Sequence, residues 1–182
     1  RLGDGQDLNL YHDGSNSYLA NSTGALKLAT ETSGIAITIG HTTSETTVAD
    51  NLTITGNSAT TGTSTFTGVA TASTSANITQ TALATSGSTI SWNAATHANA
   101  YLVPSTNLTM DNPSNAVEGA IISVEIAQGG TPYTVAWHTN YEFAASTAPT
   151  VTATANKTDI FAFRYNGSVW QEVGRVQNMA QT

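Results

Sequence analysis

The 182-residue chain has no cysteine, which excludes disulfide staples, thiolate chemistry and any cysteine-based metal site. Charge is also scarce: charged residues make up 9% of the chain, against about 25% in ordinary soluble domains. Only five residues are basic (Arg1, Lys27, Lys157, Arg164 and Arg175), and the formal net charge is -7. No basic patch can be assembled at that density, so no nucleic-acid partner is expected, and docking on an anionic membrane surface is disfavoured for the same reason. No apolar run reaches membrane-spanning length, so no membrane insertion is expected. No signal peptide is visible, and the chain begins at Arg1 rather than Met; a fragment lacking an N-terminal portion is the natural reading. Disordered segments are usually rich in charge and proline, and this chain is poor in both, with four prolines in all. The charge balance suits a soluble surface protein that meets neutral or weakly charged partners.

What the chain does have is threonine, serine, alanine, asparagine and glycine, most densely in residues 47–81. A small cassette recurs there, Thr53-Ile54-Thr55-Gly56 and then Thr65-Phe66-Thr67-Gly68, with Ile37-Thr38-Ile39-Gly40 as a degenerate earlier copy. Branching at Cβ stiffens Thr and Ile toward extended backbone, and each glycine permits a turn. Short strands separated by turns are therefore expected. Large apolar residues are too few for this stretch to build its own core, which leaves a linker or one strand system of a multi-chain fibre.

Residues 1–46 read as a small β-meander module. Leu8-Asn9-Leu10-Tyr11 alternates, Asp13-Gly14 gives a hairpin turn, Tyr18-Leu19-Ala20 follows, and Leu26-Lys27-Leu28 alternates again. Residues 82–182 hold all three tryptophans and all four prolines. Alternating runs recur there between turns: Thr89–Trp92, Leu108–Met110, Ala120–Ile126, Tyr133–Trp137, Thr150–Ala153, Ile160–Tyr165 and Val169–Val173. Strands with turns every 8–12 residues or so argue for a β-sandwich or barrel. Gln128-Gly129-Gly130 turns the strongest strand toward Tyr133–Trp137. Asn166-Gly167 marks a hairpin whose flanking aromatics should be cross-strand partners. The fold class is all-β: a repetitive shaft over 47–81 and a C-terminal β-sandwich, jelly-roll-like, over 82–182.

Leu8-Asn9-Leu10-Tyr11-His12-Asp13-Gly14-Ser15-Asn16-Ser17-Tyr18, followed by Asn21-Ser22-Thr23-Gly24-Ala25-Leu26, resembles a module of tail-fibre and other virion appendage proteins of bacteriophages, especially phages of marine bacteria (a cyanophage-like wording). The second half is similar to a C-terminal domain of phage tail-fibre-like proteins. The similar words are Leu108-Thr109, Asn112-Pro113, Gly119, Gln128-Gly129, Thr134-Val135-Ala136-Trp137, Tyr141-Glu142-Phe143, Ala148-Pro149-Thr150, Asp159–Phe163, Tyr165-Asn166-Gly167 and Trp170. The chain departs from that pattern in one loop, Trp137–Ala148. It has His138 where Gly often follows the Trp, and Ala144-Ala145-Ser146 where a Pro-Gly turn often follows the Phe. The resemblance implies a virion structural protein on the particle surface. It also implies a homotrimer with an intertwined shaft, joined to other virion proteins through the missing N-terminal region and mediating host attachment. The partner would be a host surface glycan or protein. A capsid decoration or head-fibre protein is the alternative, and a polysaccharide-degrading tailspike a second.

Candidate chemistry is thin. His12, His41, His97 and His138 do not cluster in sequence, so no metal site and no cofactor are expected. Gly3-Asp4-Gly5-Gln6-Asp7 partly echoes a calcium-binding nonapeptide, but as a single copy out of register it reads as a turn. No nucleophile elbow is present, and the carboxylates Glu118, Glu125, Glu142, Asp159 and Glu172 show no pairing pattern, so no catalytic residues are assigned and a non-enzymatic protein is expected. Tyr133, Trp137, His138 and Tyr141 form a denser aromatic group. Such a group either recognises a ligand or packs a core, with Trp137 and Tyr133 inside and Tyr141 capping a sheet. Within it, His138 and Tyr141 are the candidate receptor-binding residues, because loops at the end of a rigid scaffold carry binding.

Overall fold

The computed structural model describes residues 7–28, 37–39 and 45–181. Gly3 to Gln6 of the possible calcium turn, Ile35, Ala36, Gly40 and His41 lie outside them. The chain divides into two compact units, residues 1–67 and 68–182. Strands and one short 3-10 turn are the only regular elements among the described residues, and none of them is an α-helix. The all-β class read from the sequence is what the chain adopts.

In the first unit, β1 (Leu8–His12) and β2 (Ser17–Asn21) form an antiparallel hairpin in the register Leu10↔Leu19 and Tyr11↔Tyr18. The two tyrosine rings stack at 4.8 Å. Asp13 closes the turn: one carboxylate oxygen accepts the N–H groups of Ser15 (2.9 Å) and Asn16 (2.8 Å), and the other accepts the Tyr18 hydroxyl (2.8 Å). Gly14 adopts a φ of 102°, which the turn needs and a side chain resists. The expected third strand is not there. Leu26-Lys27-Leu28 is unpaired and exposed, and the Asn21 side chain ends the hairpin by donating to the carbonyls of Thr23 and Gly24.

The Asp13 carboxyl is held below its usual value, first by the Asn16 N–H, then by the Ser15 N–H and the Tyr18 hydroxyl. A depressed carboxyl pKa stabilises the fold above the unfolded value, near 3.8, and that contribution is lost as pH falls through the lower folded value. The Tyr11–Tyr18 stack should therefore persist at neutral pH and loosen only in strong acid, while Asp13→Ala should loosen it at all pH values. The ring chemical shifts of the two tyrosines, followed across an acid titration, measure this.

Between the hairpin and Thr81 no described residue belongs to a strand. The cassettes at 53–56 and 65–68 form bends, and Leu52, Ile54, Phe66 and Val69 are all exposed, Val69 by 93%. Among the described residues of this stretch the expected strands do not form and no partner strand lies alongside: extended Thr-rich backbone needs a neighbouring ladder, and the sparse apolar residues need a surface to cover them.

The second unit is a two-sheet sandwich. Its strands are β3 (Thr81–Ala82), β4 (Ala84–Ser86), β5 (Thr89–Ser91), β6 (Asn99–Leu102), β7 (Leu108–Met110), β8 (Ile121–Ala127), β9 (Val135–Trp137), β10 (Tyr141–Glu142), β11 (Lys157–Tyr165) and β12 (Trp170–Ala180). One sheet has the order β10-β12-β11-β8-β6-β3 and the other β4-β5-β7-β9. From β5 to β10 the chain crosses to the other sheet at every step, so successive strands within a sheet run parallel: β5, β7 and β9 in one, β6 and β8 in the other. A jelly roll is built from antiparallel Greek keys. Here five of the eight strand pairings in this unit are parallel and three antiparallel, so the sandwich is a coil of strands closed by the β11–β12 hairpin.

Period-two patterning places the core. Ile122, Val124 and Ile126 of β8 and Phe161 and Phe163 of β11 point inward, against Ile90, Leu108, Met110 and Val135 of the smaller sheet. Gln128-Gly129-Gly130 does not make a hairpin. It carries the chain from β8 in one sheet toward β9 in the other, and the buried Gln128 side chain fastens that crossing through Tyr133 and Thr152. Thr150–Ala153 is extended but unpaired. Side chains replace the missing ladder, with Asp159 accepting the Thr152 N–H and Gln177 donating to the Thr150 carbonyl. The Asn166-Gly167 hairpin is present with a four-residue loop, 166–169, because the Asn166 side chain accepts the N–H groups of both Ser168 and Val169. Tyr165 and Trp170 are direct cross-strand partners, with ring centroids 4.9 Å apart.

Candidate functional site

A pocket of about 390 Å³ lies at one open edge of the sandwich, where β9 at the margin of the smaller sheet leads into β10 at the margin of the larger. Its lining is Trp137, His138, Thr139, Tyr141, Glu142, Phe143, Ser146 and Ala148. The volume falls within the range of small-molecule sites, about 300–1,000 Å³. A tight turn crosses between the sheets. The His138 N–H donates to the Met110 carbonyl (3.0 Å), and the Tyr141 N–H donates to the His138 carbonyl (3.2 Å).

The floor is aromatic and fixed. Trp137 meets Tyr141, Phe143, Phe161 and Phe163 edge-on, with centroids between 4.8 and 5.5 Å, and its indole N–H donates to the Pro149 carbonyl (3.1 Å). Tyr141, Trp170 and Tyr165 form an inward aromatic row across three strands. Tyr141 is 5% exposed and its hydroxyl donates to the Asp111 carbonyl (3.0 Å). Burial, with a smaller part from the nearby Asp111 charge, raises the Tyr141 phenol well above its ordinary value, so it stays neutral. Tyr141 thus shapes the pocket from below.

The rim is polar. His138 is half-buried, and its Nδ1 accepts the Asn140 N–H (3.1 Å). The neutral ring therefore carries its proton on Nε2, which remains as a donor. One carboxylate oxygen of Glu142 accepts from the Gln171 amide (3.1 Å), which orients the group. The Thr139 and Ser146 hydroxyls complete the set. Ser146 of the lining closes a single 3-10 turn, Ala144–Ser146, in which Ala145 and Ser146 both have a φ of 54°, a strained conformation for residues with a Cβ. Such strain is held in place by its surroundings and is common at binding sites.

No lysine or arginine lines the pocket. In sheet register the nearest cation is Arg164, two strands from Glu142 and so about 10 Å away at ordinary strand spacing. An anion seated about 4 Å from Glu142 is penalised by about 1 kcal/mol in water-like surroundings and about 4 kcal/mol at an effective dielectric of about 20. The lining thus combines an aromatic floor with one carboxylate and no positive charge.

The other residues singled out in the sequence go elsewhere. His12 contacts Ser17, and His97 contacts Thr96 while its carbonyl accepts the Trp92 indole N–H. Glu125 on the outer face accepts from Gln80, Glu172 lies 3.4 Å from Arg175, Asp159 is buried and structural, and Glu118 packs beside Gly167. Tyr133 is half-buried and does not line the pocket. Among the described residues no group of three or more His, Asp or Glu side chains is placed to hold a metal ion. The sequence reading named His138 and Tyr141, which the fold brings together, but as sites it missed Thr139, Glu142, Phe143 and Ser146. The usable signal was a carboxylate and two aromatics at 141–143 next to a loop with no strand pattern. No helix among the described residues is long and apolar enough to cross a membrane. No protein-family model matches the chain, and no curated protein or solved structure matches it either.

Proposed function

We propose that this chain is a structural virion protein, a bacteriophage tail-fibre or related appendage protein that attaches the particle to the host cell surface as a homotrimer, without catalysis. The observation that carries the reading is the pairing, in one chain, of a coreless Thr/Gly-rich segment with a cored sandwich bearing a preformed pocket. The exposed Val48, Leu52, Ile54, Phe66, Val69 and Ile78 lack cover in one chain, and copies of the same segment are the cover that symmetry supplies at no cost in new sequence. A rigid pocket of modest affinity is useful when several copies engage together, because linked weak contacts multiply. Binding rather than cleavage is supported by the lining, whose one carboxylate is Glu142, where glycoside hydrolysis ordinarily needs two facing carboxylates.

Two measurements on the full chain test the reading. Light scattering should give three times the 18.8 kDa chain mass, with Phe66→Asp shifting the mass toward one chain. Fluorescently labelled protein should adsorb saturably to host bacteria. A monomeric wild-type chain sinks the trimer, and absence of adsorption to any host sinks attachment.

A further inference from the structure

We propose that the β9–β10 edge pocket takes one residue of a neutral hexose polymer, such as a glucan, galactan or mannan, and rejects acidic and sulfated sugars. The inference deepens the attachment reading and rests on it for its biological setting. It follows from three features of the lining. Trp137 and Phe143, both only partly buried, line the pocket, and a pyranose ring has an apolar C–H face that aromatic carbon surface covers. The rim alternates donors and acceptors as a polyol requires. Glu142 accepts with the oxygen that Gln171 leaves free among the described residues, His138 donates from Nε2, and the Thr139 and Ser146 hydroxyls do either.

The third feature is charge. Acidic polymers are normally held by arginine or lysine, and the lining has none, while its one charged group is negative. An uncharged ring that offers hydroxyl donors to Glu142 is the class that fits all three. Preorganisation supports the same conclusion. Trp137 is fixed by Pro149 and its ring neighbours, His138 by Asn140, and Glu142 by Gln171, so little side-chain entropy is lost on binding.

The test titrates the full chain with glucan, galactan and mannan oligosaccharides, and separately with oligogalacturonate and sulfated galactan, by saturation-transfer NMR and calorimetry. At least one neutral series should bind, with transfer from the aromatic protons of the floor, and the acidic series should not. Glu142→Ala should weaken neutral binding about tenfold, as expected for loss of a charged hydrogen-bond acceptor. Glu142→Gln should keep part of the neutral binding and narrow the gap to oligogalacturonate. Glu142 is exposed on an edge strand, so both variants should fold as wild type by circular dichroism. No neutral binding, neutral binding indifferent to Glu142→Ala, or acidic sugars binding as well as neutral ones overturns the proposal. Adsorption to cells that is equal for wild type and Glu142→Ala leaves attachment standing and removes the pocket's role. Oligosaccharide binding without adsorption to any cell does the reverse.

Discussion

Replacing Phe161 with alanine should destabilise the sandwich by about 3–5 kcal/mol, the usual cost of truncating a buried aromatic. Phe161 is fully buried on β11, which lies between β8 and β12 in the larger sheet. Its ring sits 4.8 Å from that of Trp137, so the cavity would open under the pocket floor. Domains of this size hold about 5–15 kcal/mol in total, so the loss is a large fraction. Denaturant unfolding followed by tryptophan fluorescence measures it, and near-ultraviolet dichroism should weaken as Trp137 loses one of its four edge-on neighbours. The control is the adjacent residue. Ile160 lies on the outer face beside Glu125 and Val176 and is 39% exposed, so Ile160→Ala should cost under about 1 kcal/mol. Equal losses at the two positions would mean that the strand register, and with it the inward face, is wrong.

That alternation is legible in the sequence itself. Ile122, Val124 and Ile126, and Phe161 and Phe163, stand at a spacing of two in the sequence, and burial follows that spacing. The Asp13-Gly14 and Asn166-Gly167 turns were equally readable, because a glycine with positive φ and an Asx side chain that caps backbone N–H groups are local devices. What the sequence did not disclose was non-local. Whether β8 pairs with the strands next to it in sequence or, as it does, with β6 and β11 depends on which sheet each joins, and both choices bury the same alternating face. The parallel coil of β5, β7 and β9 leaves no periodic mark that an antiparallel sandwich would lack. Thr150–Ala153 carries a strand pattern, yet its backbone is satisfied by Asp159 and by Gln128 and Gln177, the last two more than 20 residues away in sequence, beyond the reach of any local pattern.

The site was half legible for a related reason. Aromatic density drew attention to Trp137, His138 and Tyr141, and the loop lacking a strand pattern pointed to the same place. Composition does not say which ring faces the core. The parallel pairing of β10 with β12 turns Tyr141 inward beside Trp170 and places Glu142 at the rim. That one-residue alternation decides which member of the Tyr141-Glu142 pair meets a ligand, and it is set by an edge strand of two residues, too short to show a period.

The buried carboxylate of Asp159 should be as sensitive as the core. It is 1% exposed, and three donors converge on it. The Thr152 N–H (2.7 Å) and the Gln177 amide (3.0 Å) reach one oxygen, and the Asn178 N–H (2.8 Å) reaches the other. An amide in its place can accept at only one of those two positions and turns an NH₂ toward donors at the second. Asp159→Asn should therefore destabilise the sandwich by about 2–3 kcal/mol, even though the side chains match in shape, because hydrogen bonds to a charged group are lost and a buried N–H is left unpaired. Asp159→Ala, which abandons all three donors, should cost about 3–5 kcal/mol. Gln177 cannot rescue the amide by flipping, since its Nε2 also donates to the Thr150 carbonyl (2.8 Å). The effect should be local before it is global. The unpaired segment Thr150–Ala153 and the end of β12 near Asn178 both depend on this carboxylate, so their amides should lose hydrogen-exchange protection first, while β8 keeps its protection. A stable Asp159→Asn variant with unchanged exchange at Thr152 and Asn178 would show that the three donors find other partners and that the carboxylate is not what fastens these segments.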